Sequence, residues 1–116
     1  MSSPTQIKLR RAENVLSLSF EDGTETSLPA ELLRVESPSA EVQGHGPGQR
    51  VLVTGKRMVA IMAVEPVGNY AVRLVFSDGH DTGIYTWEFL YQLGRERNIR
   101  WRRYLRLLED AGLNRD

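Results

Sequence analysis

The side chains able to do chemistry gather in a few places along the 116-residue chain. In Ser77-Asp78-Gly79-His80-Asp81 an imidazole stands between two carboxylates. His80 could ligate a metal or act as a base, or it could be a polar turn residue bonded to backbone. Gly44-His45-Gly46-Pro47-Gly48 is a glycine-rich stretch whose N–H groups could wrap an anion. No Lys-Ser or Lys-Thr pair follows at P-loop spacing, so a surface loop is the plainer reading. Should that loop fold back, His45, His80, Glu41, Asp78 and Asp81 could converge on a metal. A third stretch is basic: Arg95, Arg97, Arg100, Arg102, Arg103 and Arg106, interleaved with Trp101 and Tyr104. Arg100 and Arg103 are its candidates for nucleic-acid contact, by charge and stacking. Against that, Trp101, Tyr104, Leu105 and Leu108 share one helical stripe, which favours a solvated face on an amphipathic helix. Tyr85, Trp87, Phe89 and Tyr91 cluster where a strand hands over to a helix. Most of that cluster reads as core; Trp87 and Tyr85, with His45, are the candidate partner contacts. Asp22 and Asp78 each precede a glycine and read as turn residues rather than an acid–base pair.

Composition removes several classes of function. The chain has no cysteine, which excludes disulfides, thiolate catalysis and any thiolate-held zinc or iron–sulfur cluster. Lys plus Arg equals Asp plus Glu, so the net charge is zero and nominates no polyanionic partner. Met1 to Thr5 has neither the basic nor the apolar region of a signal peptide. No apolar run approaches the ~20 residues that span a bilayer. A soluble cytoplasmic protein of one domain, residues 1–116, is expected.

The elements that must position these groups come as a repeat. Leu16-Ser-Leu-Ser-Phe20-Glu-Asp22-Gly23 recurs 56 positions on as Val72-Arg-Leu-Val-Phe76-Ser-Asp78-Gly79. Each copy reads as strand, Asp-Gly turn, short strand and helix start. Thr5–Arg10 and Val15–Phe20 alternate as half-buried strands do. Thr24–Leu28 runs back, and Pro29 suits the first turn of a short helix ending near Val35. Ser37–Arg50, with two Pro and three Gly, reads as a long loop. Val51–Thr54 reads as a brief strand or a cover for the sheet. Strands follow over Val59–Val67, Tyr70–Phe76 and Asp81–Tyr85. The spacing then predicts two helices: Trp87–Leu93, with Thr86 capping its start and Gly94 its end, and a last one at about 98–112, ended by Gly112. Asn114–Asp116 are expected to fray. The fold class is α+β: small antiparallel sheets built from a repeated hairpin-plus-helix unit, with helices packed on one face.

Two segments carry a family resemblance. Glu65-Pro-Val-Gly-Asn-Tyr-Ala-Val-Arg-Leu-Val-Phe-Ser-Asp-Gly-His80, continuing to Leu90, resembles the gamma-butyrobetaine hydroxylase-like N-terminal domain. Leu28-Pro-Ala-Glu-Leu-Leu-Arg-Val-Glu-Ser-Pro-Ser-Ala-Glu-Val42 is similar to that family's other signature. The match covers about residues 5–95, in the right order and spacing. It implies a module that precedes an iron- and 2-oxoglutarate-dependent catalytic domain in eukaryotic hydroxylases, stands alone in bacteria, and is elsewhere fused to P-loop ATPases carrying iron–sulfur clusters. In the hydroxylases the resemblance implies a structural zinc held by three Cys and one His. Those positions fall on Ser37, Ser39, Val42 and His80, so three of the four ligands are missing. Neither the zinc nor the oxygenase activity, whose domain is absent, carries over.

The reading is therefore a stand-alone, non-catalytic accessory or protein-interaction module. The fused relatives tie it to iron–sulfur or P-loop ATPase machinery by analogy. One alternative is a metal- or small-ligand-binding protein using His80, His45 and residues 37–50. The other is nucleic-acid contact through the arginine-rich helix. No cofactor is expected, a protein partner is, and nothing in the sequence sets an oligomeric state.

Overall fold

A computed structural model describes residues 3–44 and 50–116. The candidate His45 lies outside the described residues. Two antiparallel sheets of three strands each form the frame. The first runs β1 (Pro4–Arg10), β2 (Val15–Phe20), β3 (Glu25–Pro29), and the second β4 (Ile61–Val67), β5 (Ala71–Phe76), β6 (Ile84–Thr86). Each is a meander in which strands adjacent in sequence pair. After β3 comes α1 (Ala30–Val35), and after β6 comes α3 (Trp87–Asp110); the single turn α2 (Ala40–Gln43) follows α1. The α+β class read from the sequence is what the chain adopts.

The repeat holds down to its hydrogen bonds. Phe20 N–H donates to Thr24 O and Gly23 N–H to Phe20 O; in the second half Phe76 N–H donates to His80 O and Gly79 N–H to Phe76 O. Both glycines take the positive φ that the turn requires, +87° and +90°. In each turn the Asp carboxylate caps the backbone two residues on, Asp22 at Thr24 and Asp78 at His80. The inward faces of β2 and β5 meet in a common core: Leu16, Leu18 and Phe20 from one, Val72, Leu74 and Phe76 from the other. Leu33 of α1 and Leu90 and Leu93 of α3 close it from the helical side, together with Tyr85 of β6.

The helices differ from expectation. α3 is one continuous helix of 24 residues, with Thr86 capping it through Phe89 N–H as expected, but without a break at Gly94. The reason for glycine is tertiary. A Cβ at position 94 would stand 2.9 Å from Thr26 Oγ1 and 3.0 Å from its methyl group, so the missing side chain lets the helix lie against β3. Residues 37–50 also contain the turn α2, Val51–Thr54 forms no strand, and the chain past Gly112 does not fray. Arg115 makes a two-pronged ion pair with Glu31 at 2.6 and 2.8 Å and stacks over Trp101.

Gly94→Ala sets two effects against each other. Helix propensity gains about 1 kcal/mol, while overpacking against Thr26 costs about 1–3 kcal/mol. The clash is with a rigid strand residue, so the variant should be the less stable protein in urea denaturation. A higher midpoint than wild type would show that helix and strand stand further apart.

Candidate functional site

His80 closes the second Asp-Gly turn and points into the gap between that turn and the α1–α2 connection. Its Nε2 lies 2.8 Å from Ser37 Oγ and its Nδ1 3.0 Å from a Glu41 carboxylate oxygen. A carboxylate only accepts, so Nδ1 carries the proton, and Nε2 accepts the Ser37 hydroxyl. The remaining bonds then have one consistent assignment. Thr82 donates to Glu41 at 3.0 Å, Ser39 donates to Thr82 at 2.6 Å, and the Glu41 and Ser39 N–H groups donate to Ser39 Oγ and Ser37 Oγ. Five side chains from α1–α2 and the β5–β6 connection form a closed polar network, with both imidazole nitrogens in use. Gly83 makes room for it: a Cβ there would sit 2.6 Å from Ser37 Oγ and 2.9 Å from the Tyr85 ring.

The order serine, histidine, glutamate has the connectivity of a nucleophile, its base and an orienting acid. Ser37, however, is 0 % exposed, so no substrate can meet its hydroxyl. Nor does the donor set suit the zinc implied by the resemblance. Ser37 and His80 are bonded directly to each other, Ser39 Oγ is engaged by Thr82 and Glu41, and Val42 offers only methyl groups. Among the described residues no group of three or more His, Cys, Asp or Glu side chains could hold a metal ion. Treatment with a chelator should leave the melting temperature unchanged; a drop reversed by added zinc would reveal a metal.

Burial pushes the His80 imidazole below its usual value, and Arg34 adds to this, against Glu41 and Asp78, which oppose it. At Asp78 burial favours the neutral acid, but Lys56, the His80 N–H and Arg34 outweigh it and hold the carboxyl well below the usual carboxylate range. Arg34 and Lys56 approach that carboxylate at 2.8 and 2.7 Å. Unfolded His80 takes up its proton near pH 6.5 while the folded protein holds it off, so the unfolded state binds more protons just below that pH. Stability should fall as pH drops through this window. His80→Gln should flatten the dependence of the urea midpoint between about pH 7 and pH 5; an unchanged slope would refute the assignment.

The other residues singled out in the sequence are placed differently. Tyr85 is wholly buried, its hydroxyl donating to Leu33 O at 2.5 Å, so it offers nothing to a partner. Trp87 is half-buried against the core, with its indole N–H on Asn69 O at 2.8 Å. Arg100 and Arg103 turn toward the protein, bonding Glu36 at 3.0 and 3.4 Å. Arg50 reaches the same carboxylate from the other side. Glu36, Thr82 and Gly83 were missed in the sequence reading. The Arg100/Arg103 spacing of three, which puts both on one helix face, is the faint signal from which a shared partner could have been read.

Above Glu36 the surface is concave. The extended segment at 50–53, the end of α1 and the α3 face bearing Arg100, Arg103, Tyr104 and Leu107 enclose about 280 Å³. Apolar Val35, Val51, Leu52 and Val53 line it with Tyr104 and Leu107. The Tyr104 hydroxyl is spent on Val53 O at 2.7 Å, which fixes the segment to the helix.

A family model described as gamma-butyrobetaine hydroxylase-like, N-terminal, matches residues 7–91. Two proteins whose structures were solved by NMR in solution are similar throughout. One is 47% identical with a TM-score of 0.87, covering 100% of this chain and 91% of its own. The other is 50% identical with a TM-score of 0.85, covering 99% and 86%. A crystal structure from Acidithiobacillus ferrooxidans, of a protein of unknown function in the DUF971 family, is 42% identical with a TM-score of 0.67 and covers 79% of this chain and 92% of that one. No curated protein matches the chain.

Proposed function

Because the chain belongs to the gamma-butyrobetaine hydroxylase-like N-terminal family, whose stand-alone relative from Acidithiobacillus ferrooxidans is a protein of unknown function, we propose that it is a non-catalytic protein-interaction module. One observation carries the reading. Val51 and Leu107, 50 % and 44 % exposed, flank a concave apolar surface instead of joining the core beneath it. Apolar side chains held at the rim of a groove favour a protein contact. The groups that could have done chemistry support the same reading, since Ser37, His80 and Glu41 are spent on one another. Metal binding at His80 and nucleic-acid contact through Arg100 and Arg103 are weaker readings, because those atoms already have protein partners. By the analogy of the fused relatives, iron–sulfur or P-loop ATPase machinery is the first place to seek the partner. Among the described residues no helix is long and apolar enough to cross a membrane.

The test is affinity purification of the tagged chain from its native cells, beside a Val51→Asp/Leu107→Asp variant shown to be folded. The expected result is a partner retained by wild type and lost by the variant. Recovery of the same proteins by both, at the level of an untagged control, would overturn the reading.

A further inference from the structure

We propose that the groove over Glu36 receives a short protein segment carrying a carboxylate beside a bulky aliphatic side chain. The inference rests on the interaction reading and names the chemistry of the partner. The volume, about 280 Å³, lies at the small end of the roughly 300–1,000 Å³ of ligand pockets, a space that a few side chains of a protein segment can fill. The apolar wall supplied by Val35, Leu52 and Val53 suits an aliphatic group.

Charge selects the rest. Three guanidiniums, Arg50, Arg100 and Arg103, converge on the single carboxylate of Glu36. Among the described residues the other carboxylate paired with one of these arginines is Glu96, on Arg100 at 2.9 Å. Three cations against two anions leave one positive charge uncompensated at the groove, in a chain whose net charge is zero. Arg103 is the least committed of the three: it is 53 % exposed and holds Glu36 at only 3.4 Å. Its planar fork can swing toward an incoming carboxylate without breaking a strong bond. Lining and charge together thus specify an acidic–aliphatic segment, whereas nucleic acid would find apolar walls where it needs more cations.

The experiment uses the ¹⁵N-labelled full chain and a capped pentapeptide with a leucine–glutamate–leucine centre. Saturable shifts are expected at the amides of Val51, Leu52, Arg103 and Leu107. Peptides with glutamine for glutamate, or alanine for both leucines, should bind about ten-fold more weakly, the worth of one charge-assisted contact or one buried aliphatic group. Arg103→Gln and Leu107→Ser, both at exposed positions, should weaken binding to the same degree, and Met58→Ala should not. Raising the salt should weaken the glutamate peptide and leave the glutamine peptide unaffected. Absence of saturable shifts, or equal binding by Arg103→Gln and Leu107→Ser, overturns the assignment. So does 4-methylpentanoate binding as tightly as the peptide, which would make the occupant a small acid. A native partner captured equally by wild type and by Arg103→Gln/Leu107→Ser would sink the groove while leaving the interaction reading standing.

Discussion

Glu36→Gln should cost the protein about 3–5 kcal/mol, toward the lower end, as expected when one member of a buried ion cluster is removed. Glu36 is 2 % exposed and its two oxygens serve three guanidiniums. Neutralising it keeps the shape but leaves positive charge without its counter-ion at the base of the groove. Arg100 is the least able to reach water, its side chain 16 % exposed and set over the Phe89 ring, but it keeps Glu96 as a second carboxylate. Arg50 and Arg103 reach water more easily and soften the loss, hence the lower end. Against a total stability of about 5–15 kcal/mol, the variant would unfold at a far lower urea concentration. Arg103→Met is the control, since a half-exposed cation at 3.4 Å should cost under about 1 kcal/mol. If Glu36→Gln were as mild as Arg103→Met, the three arginines would not depend on that carboxylate.

This cluster also marks the limit of what the sequence discloses. The sheets were legible because their signals are local: alternation along Leu16–Phe20 and Val72–Phe76, with an Asp-Gly pair after each. Thr86 and Gly112 punctuate α3 for the same reason, through side chains and backbone within a turn of themselves. Gly94 misled because a glycine inside a helical pattern reads as a stop, whereas its cause is Thr26, far earlier in the chain and adjacent only after folding. Asn114–Asp116 read as a fraying end because the acid that fixes Arg115, Glu31, lies on α1. The arginines from Arg95 onward invited a polyanion for a similar reason. Nothing near them in sequence reveals that Glu36 waits at the end of α1 to take Arg100 and Arg103 inward. Residue types near Ser37 and His80 ruled out the zinc, but the hydrogen bonds that bind these segments instead belong to the tertiary structure.

Those hydrogen bonds lead to the second large expected effect, at Gly83. Gly83→Ala would place a methyl group 2.6 Å from Ser37 Oγ, a separation no relaxed pair tolerates, with the Tyr85 ring 2.9 Å away on the other side. Ser37 cannot yield freely, because its hydroxyl is bonded to His80 and accepts from Ser39 N–H. Nor can Tyr85, which is anchored on Leu33 O. The strain of overpacking, about 1–3 kcal/mol, therefore adds to a buried hydrogen bond left broken, about 1–3 kcal/mol more. Ser37→Ala alone removes the donor to His80 Nε2 and carries only the second cost. In the double variant the clash with the hydroxyl is gone, so its loss should be smaller than the sum of the two single losses, with the Tyr85 contact left as a residue of strain. Urea denaturation of the four proteins reads this coupling directly. Strict additivity, or a Gly83→Ala protein as stable as wild type, would mean that the Ser37–His80 bond does not set the packing between the α1–α2 connection and the β5–β6 turn. A non-additive result would mean that this polar network holds the two halves of the repeat in register at that point.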